Sequence, residues 1–230
     1  MVALCLEFVA FTAAAEPRSF AFDAPAALPN TGFGVTLIAK SIVPIVPDPE
    51  GTIPLRDVQG RPLGPTLSDG QFCELAAFAS GVIGTATYQV TGTSRTMQAN
   101  CRRYFSRLAR KMPVAAGALG RSVFQRIETA HGLGAARYRL VPWRSVVADG
   151  HAIGTVLFVP ALRGRLIQGR TRHDGYLFVA DRQGDAPYAQ LAVVVDAAWP
   201  DAALPSDLVR TFVVNLPGVA HALRRAHAIE

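Results

Sequence analysis

A series of short apolar runs in the second half of the chain constrains the fold more than any other feature. From Arg137 onward, β-branched and aromatic residues recur in stretches of strand length, separated by Gly, Pro and Asp. Such runs are typical of strands, and the punctuation predicts turns between them. The runs cover 138–148, 155–160, 176–180, 189–195 and 208–214. A similar run at 34–46 brings the predicted strands to six, which favours a small closed barrel.

The rest of the chain adds helices to this mainly β fold. Half of the 230 residues are hydrophobic and 17% are charged, so the chain can bury a complete core. A capping box at Ser68 and Gln71 predicts a helix that Gly81 ends. Two more helices are predicted at 96–112 and 122–130, and a short one near 219–226. We predict one domain over 34–230, with a small helical lobe inserted at about 66–132.

The N-terminal segment has the character of an export signal. Residues 1–15 are apolar and end in small residues, a pattern that resembles a signal peptide cut after Ala15. The lack of a basic residue before the apolar run, and Glu7 within it, are atypical of such signals. Residues 16–33 are rich in Pro and Ala and predict a linker or an extended arm. We therefore expect an exported, periplasmic or envelope-associated protein.

The chain is basic, with a formal net charge of +6 carried almost wholly by arginine, since Lys40 and Lys111 are its two lysines. A basic surface suits an anionic polymer such as nucleic acid, acidic lipid or the carboxylate-bearing cell wall. An ordinary solvated surface explains the same charge. The arginines of the helix predicted at 96–112 lie around an apolar stripe of core type, so we do not expect nucleic-acid binding.

Three segments resemble a known family in order along the chain. They are YRLVPWRSVVAD at 138–149, IGTVLFVP at 153–160 and HDGYLFVADRQG at 173–184. Together they closely resemble the 3D domain, which is named for three aspartates and found in lytic murein transglycosylases. The resemblance covers about 34–196 and implies a six-stranded double-psi β-barrel. It also implies a protein that acts on peptidoglycan glycan strands.

The resemblance assigns site residues position by position. The first two family aspartates fall on Asp149 and Asp181. The third, which is the usual catalytic acid/base of the family, lies eleven residues after the second and falls on Ala192. The family's Gly-Ala-Ile-Lys-Gly stretch is also missing. Asp185 and Asp196 are substitute carboxylates if the intervening loop has a different register.

Two cysteines recur in exported members of the family at places resembling Cys73 and Cys101. If Cys5 is removed with a leader, these two form an even pair, and an oxidising compartment favours a disulfide between them. Two unrelated buried thiols are the alternative, which applies to a cytosolic protein.

The leading functional hypothesis is therefore a lytic transglycosylase-like enzyme that cleaves the MurNAc–GlcNAc bond through Asp181, with Asp149 in support. One carboxyl can protonate the leaving oxygen and then assist ring closure by the sugar's own hydroxyl. The alternative is a degenerate family member that binds peptidoglycan, or another cell-envelope partner, without cutting it. A turn-forming role explains both aspartates equally simply, as it does Asp174 in His-Asp-Gly. The five histidines lack metal-ligand spacing, and we expect no metal or cofactor.

Overall fold

The computed structural model describes residues 21–105, 113–167, 171–182, 189–196 and 204–229. Its strands in chain order are β1 (Phe33–Lys40), β2 (Val43–Ile45), β3 (Ile53–Arg56), β4 (Pro62–Leu67), β5 (Ser80–Ile83), β6 (Ala86–Thr93), β7 (Ser122–Ile127), β8 (Ser145–Val147), β9 (Val156–Phe158), β10 (Leu166–Ile167), β11 (Thr171–Arg172), β12 (Tyr176–Asp181), β13 (Gln190–Val194) and β14 (Val209–Val213). Its helices are α1 (Asp69–Phe78), α2 (Cys101–Tyr104), α3 (Pro113–Leu119) and α4 (Pro217–His227).

Six strands close into a barrel in the order β1–β13–β8–β12–β9–β14. The pairs β1/β13 and β8/β12 are parallel, and the other four pairs are antiparallel. Along the chain, the first three barrel strands are β1, β8 and β9, and the last three are β12, β13 and β14. Exchanging β1 with β12, β8 with β13 and β9 with β14 leaves both the order around the barrel and the strand directions unchanged. This internal twofold relation is that of the double-psi barrel, so the predicted fold class is confirmed.

Alternation along the barrel strands separates two apolar layers. Leu37, Val146, Val179 and Val193 belong to one buried cluster, which fills the barrel. Residues of the opposite parity, including Phe178 and Val194, form a second cluster on the outside together with Leu223 of α4. The face on which a side chain lies is therefore fixed by its position along the strand.

Residues 43–127 form a separate lobe between β1 and β8. A four-stranded sheet in the order β2–β5–β6–β7 is its centre, with the β3–β4 hairpin and helices α1 to α3 beside it. The lobe is thus mixed rather than purely helical. The helix predicted at 122–130 is wrong, because this segment is strand β7 and pairs with β6 along its whole length. A short apolar run is compatible with the periodicity of a helix and with that of a strand. Here the hydrogen-bonded pairing with strand β6 makes the segment a strand.

Three other predicted elements differ in extent. The first strand, predicted at 34–46, is broken after Lys40, and its second part is β2 of the lobe. The strand predicted at 138–148 is confined to β8, because Trp143 has φ of 62° and interrupts extended backbone. Of the helix predicted at 96–112, the structure forms α2, while 106–112 lie outside the described residues.

A disulfide joins Cys73 of α1 to Cys101 of α2, as predicted, with both residues buried. The two cysteines are 28 positions apart, and closing a loop of this length stabilises the fold by roughly 3–4 kcal/mol in the chain-entropy description. The disulfide therefore fastens helices α1 and α2 to each other. In the described part of the chain, no helix is long and apolar enough to cross a membrane. The predicted signal segment, 1–15, lies outside the described residues.

Candidate functional site

A row of paired residues crosses the outer face of four barrel strands. Ile38 of β1 pairs with Ala192 of β13, Ala192 pairs with Val147 of β8, and Val147 pairs with Asp181 of β12. We call these four residues the Asp181 row. A bulge between Val179 and Asp181 precedes its last member. Paired residues of adjacent strands share a face, so the row places the second family aspartate and the position of the third on one surface.

Asp181 ends β12 and has two contacts through its carboxylate. Oδ1 accepts a hydrogen bond from the backbone N–H of Ala135 (3.1 Å). Oδ2 lies 3.8 Å from Nζ of Lys40, and about a quarter of each side chain is exposed, 24% for Asp181 and 27% for Lys40. Oδ1 is therefore a hydrogen-bond acceptor, and Oδ2 faces a cation of the protein at ion-pair distance.

Gly134 permits this arrangement by packing directly on the end of β12. A Cβ built at Gly134 would overlap the backbone carbonyl of Ala180 and lie 3.2 Å from Cβ of Asp181. A side chain at this position would push the chain away from Asp181 and remove the Ala135 hydrogen bond. In the sequence, Gly134 and Gly132 follow the helix predicted at 122–130, where glycine is typical of a helix end.

Ala192, which the resemblance aligns with the third family aspartate, carries only a methyl group. Its neighbours Leu191 and Val193 belong to the barrel interior, so Ala192 faces outward, and it is buried at 8% exposure. Asp196 lies four residues further on and beyond the end of β13, which is about 13 Å along an extended chain. Asp196 therefore does not stand where the missing carboxylate would be. Asp185 lies outside the described residues.

Asp149 comes close to Asp181 through the backbone. The N–H of Ala148 donates to the carbonyl of Asp181 (3.1 Å), and Asp149 is the next residue. Asp149 is partly exposed in the turn that follows β8. The structure therefore brings the two predicted aspartates to the same region of the barrel surface, although their roles are still a prediction.

Asp174, interpreted from sequence as a turn residue, is instead the centre of a buried ion pair. Its two oxygens accept hydrogen bonds from Nη1 (2.6 Å) and Nη2 (2.8 Å) of Arg144, and both side chains are 3% exposed. The backbone N–H groups of Phe22 and Tyr176 also donate to Asp174, at 3.1 Å each. These donors, above all Arg144, hold the pKa of Asp174 below its usual range despite burial. The pair fastens the N-terminal arm to the barrel.

Two buried histidines complete the polar interior. Nδ1 of His173 accepts from the N–H of Gly175 and Nε2 faces the carbonyl of Trp143, both at 2.8 Å. His227 contacts the carbonyl of Leu223 (2.6 Å) and Oγ of Ser145 (2.9 Å). Burial lowers the pKa of each histidine from 6.5 to about 4. Ser145 is fully buried, so the Ser145–His227 pair is a structural hydrogen bond and not an accessible nucleophile. Sequence reasoning missed this pair, because its members are 82 residues apart.

The described residues hold no group of three or more His, Cys, Asp or Glu side chains arranged for a metal ion. No family model matches the chain, and no curated protein does. The assignment to the 3D-domain family therefore stays a prediction.

A solved structure shares the fold. A crystal structure of Escherichia coli MltA with bound chitohexaose aligns with a TM-score of 0.51 at 14% identity, over 79% of this chain and 71% of that one. A membrane-bound lytic murein transglycosylase from Agrobacterium tumefaciens aligns at 0.49 with 12% identity, over 84% and 78%. The lytic transglycosylase LtgG of Burkholderia pseudomallei aligns at 0.39 with 14% identity, over 82% and 75%. With its closed six-stranded barrel, the chain has an MltA-like fold.

Proposed function

We propose that this protein binds the glycan strands of peptidoglycan at the surface around the Asp181 row and does not cleave them. The observation that carries the proposal is Ala192. The fold and register put this position on the outer side of β13, in the same row as a carboxylate that is 24% exposed, but without the acid that the resemblance implies for cleavage.

Support for a glycan ligand comes from the fold and the charge. The MltA structure that shares the fold has a bound chitohexaose, a β-1,4-linked amino-sugar chain. Peptidoglycan has the same linkage and adds carboxylates, which a chain of net charge +6 attracts. Location in the cell envelope belongs to the same proposal, and the Cys73–Cys101 disulfide supports it, because structural disulfides persist in oxidising compartments.

Cleavage by Asp181, with Asp149 in support, is the second candidate. It is favoured by the approach of the two aspartates at the ends of β8 and β12. A general acid must hold a proton and deliver it to the glycosidic oxygen. Asp181 instead accepts a backbone N–H through Oδ1 and faces an ammonium through Oδ2, so both oxygens lie beside donor groups of the protein. This geometry supports binding more than catalysis.

Incubation with purified sacculi separates the two candidates. We expect the protein to sediment with sacculi and to release no anhydro-muropeptides detectable by mass spectrometry. Asp181→Asn is expected to weaken sedimentation, because it removes the negative charge that faces Lys40 and accepts from Ala135. Asp207→Asn changes the same charge at an exposed position before β14 and should have no effect. Anhydro products from the wild-type protein that disappear in Asp181→Asn would establish the second candidate instead.

Restoring the missing acid is a direct test of the role of position 192. Ala192→Asp places a carboxyl group in the Asp181 row, and partial burial favours the protonated form that an acid catalyst needs. We expect anhydro-muropeptides from Ala192→Asp and none from the isosteric Ala192→Asn. A folded Ala192→Asp protein that binds sacculi as the wild type does but forms no product would show that Ala192 is not what prevents cleavage.

A further inference from the structure

Lys40 is the cation of the proposed binding surface. It ends β1 two residues after Ile38, so alternation puts its side chain on the same outer face as the Asp181 row. Its ammonium lies near Asp181 although β13 and β8 separate the two strands in the barrel. The side chains of Lys40 and Asp181 therefore meet although their strands are not neighbours.

The contact with Asp181 leaves the ammonium able to bind a second anion. The distance between Nζ and Oδ2 is 3.8 Å, longer than the roughly 2.7–2.9 Å of a charge-assisted hydrogen bond. An ammonium has three donors, and Lys40 is partly open to solvent. The ammonium can therefore face Asp181 and still donate to a ligand.

We infer that Lys40 is a specificity-determining residue that binds a carboxylate of the glycan, so that the surface selects acidic peptidoglycan over neutral amino-sugar chains such as chitin. The inference rests on the proposed function. Peptidoglycan offers this chemistry in two places, the lactyl group of muramic acid when no peptide is attached and the free carboxylates of the stem peptide. Asp181 holds Lys40 in position before the ligand arrives.

Binding of matched ligands tests the inference. The ligands are intact sacculi, sacculi whose carboxyl groups have been amidated, glycan strands freed of peptide, and chitohexaose. We expect Lys40→Gln to weaken binding to intact sacculi about tenfold, the scale of one charge-assisted contact, and to leave binding to amidated sacculi and chitohexaose unchanged. Lys40→Arg should retain most of the preference. Weakened binding to peptide-free strands would assign the contact to the lactyl carboxylate, and an effect confined to peptide-bearing sacculi would assign it to the peptide.

Two controls keep the outcomes separate. Arg126→Gln removes the same charge from an exposed site on β7 of the lobe and measures the generic attraction of a basic protein to acidic sacculi. The inference is overturned if Lys40→Gln still prefers intact to amidated sacculi as strongly as the wild type, or if Arg126→Gln loses as much binding. If the wild type binds neither sacculi nor chitohexaose, the proposed function itself fails. Thermal unfolding of each variant confirms that the fold is intact.

Discussion

Acidification from pH 7.5 to pH 4.5 is expected to lower the free energy of unfolding by roughly 2–3 kcal/mol for each of two buried histidines, His173 and His227. In the folded chain burial lowers each pKa to about 4, with Arg144 nearby opposing protonation of both. The carbonyl of Trp143 and Asp174 partly offset this at His173, as the carbonyl of Leu223 does at His227.

The direction follows from proton uptake. An unfolded histidine binds its proton near pH 6.5, whereas the folded one stays neutral down to about pH 4. Stability is therefore complete above pH 6.5 and is lost as the pH falls toward 4, below which these two groups add no further change. The lowered pKa of Asp174 extends the loss to more acidic conditions, in the same direction.

Urea denaturation at a series of pH values measures this effect. His227→Gln is expected to reduce the slope between pH 6.5 and 4.5, while His221→Gln, on the exposed side of α4, should leave it unchanged. An unfolding free energy that stays constant over this range would contradict the assignment of neutral, buried imidazoles.

The second large effect is expected from Asp174→Asn, which should destabilise the fold by roughly 3–5 kcal/mol. The change leaves the guanidinium of Arg144 buried without its counter-charge, and it weakens the acceptor that holds the N–H groups of Phe22 and Tyr176. Removing one member of a buried pair costs more than removing both, because the remaining charge cannot regain its hydration.

The double variant Arg144→Met/Asp174→Asn is therefore expected to recover part of the lost stability, as measured by urea denaturation. Asp207→Asn, an exposed change of the same kind, should alter stability by less than about 0.5 kcal/mol. A single variant as stable as the wild type, or a double variant less stable than the single, would contradict a tightly coupled pair.

The barrel could be predicted because each of its strands is indicated by the residues of that strand alone. Runs such as 176–180 and 189–195 are buried on both faces, and β-branched runs of that length rarely form anything but strands. Position 192 also lies on a strand within the run predicted at 189–195. That it is the place of the family's third aspartate stays a prediction. The residues at 122–130 alone gave the wrong prediction of a helix. Their apolar pattern is compatible with a helix or a strand, and pairing with β6 makes β7 a strand.

The polar contacts of the site depend on residues that are distant in sequence. Lys40 and Asp181 lie on strands that are not neighbours in the barrel, so neither pattern nor pairing indicated their approach. Asp174 in His-Asp-Gly has the sequence of a turn, and only Arg144, 30 residues away, makes it part of a buried pair. Such contacts appear only once the strand order is known.

The lobe is joined to the barrel by two segments of chain, and both are tied to Asp181. The outgoing segment starts directly after Lys40, and the returning one passes Gly134 and Ala135. Both connections between lobe and barrel thus meet at one carboxylate. A change at Asp181 therefore alters the Lys40 contact and the Ala135 hydrogen bond together, and with them both places where the lobe is attached.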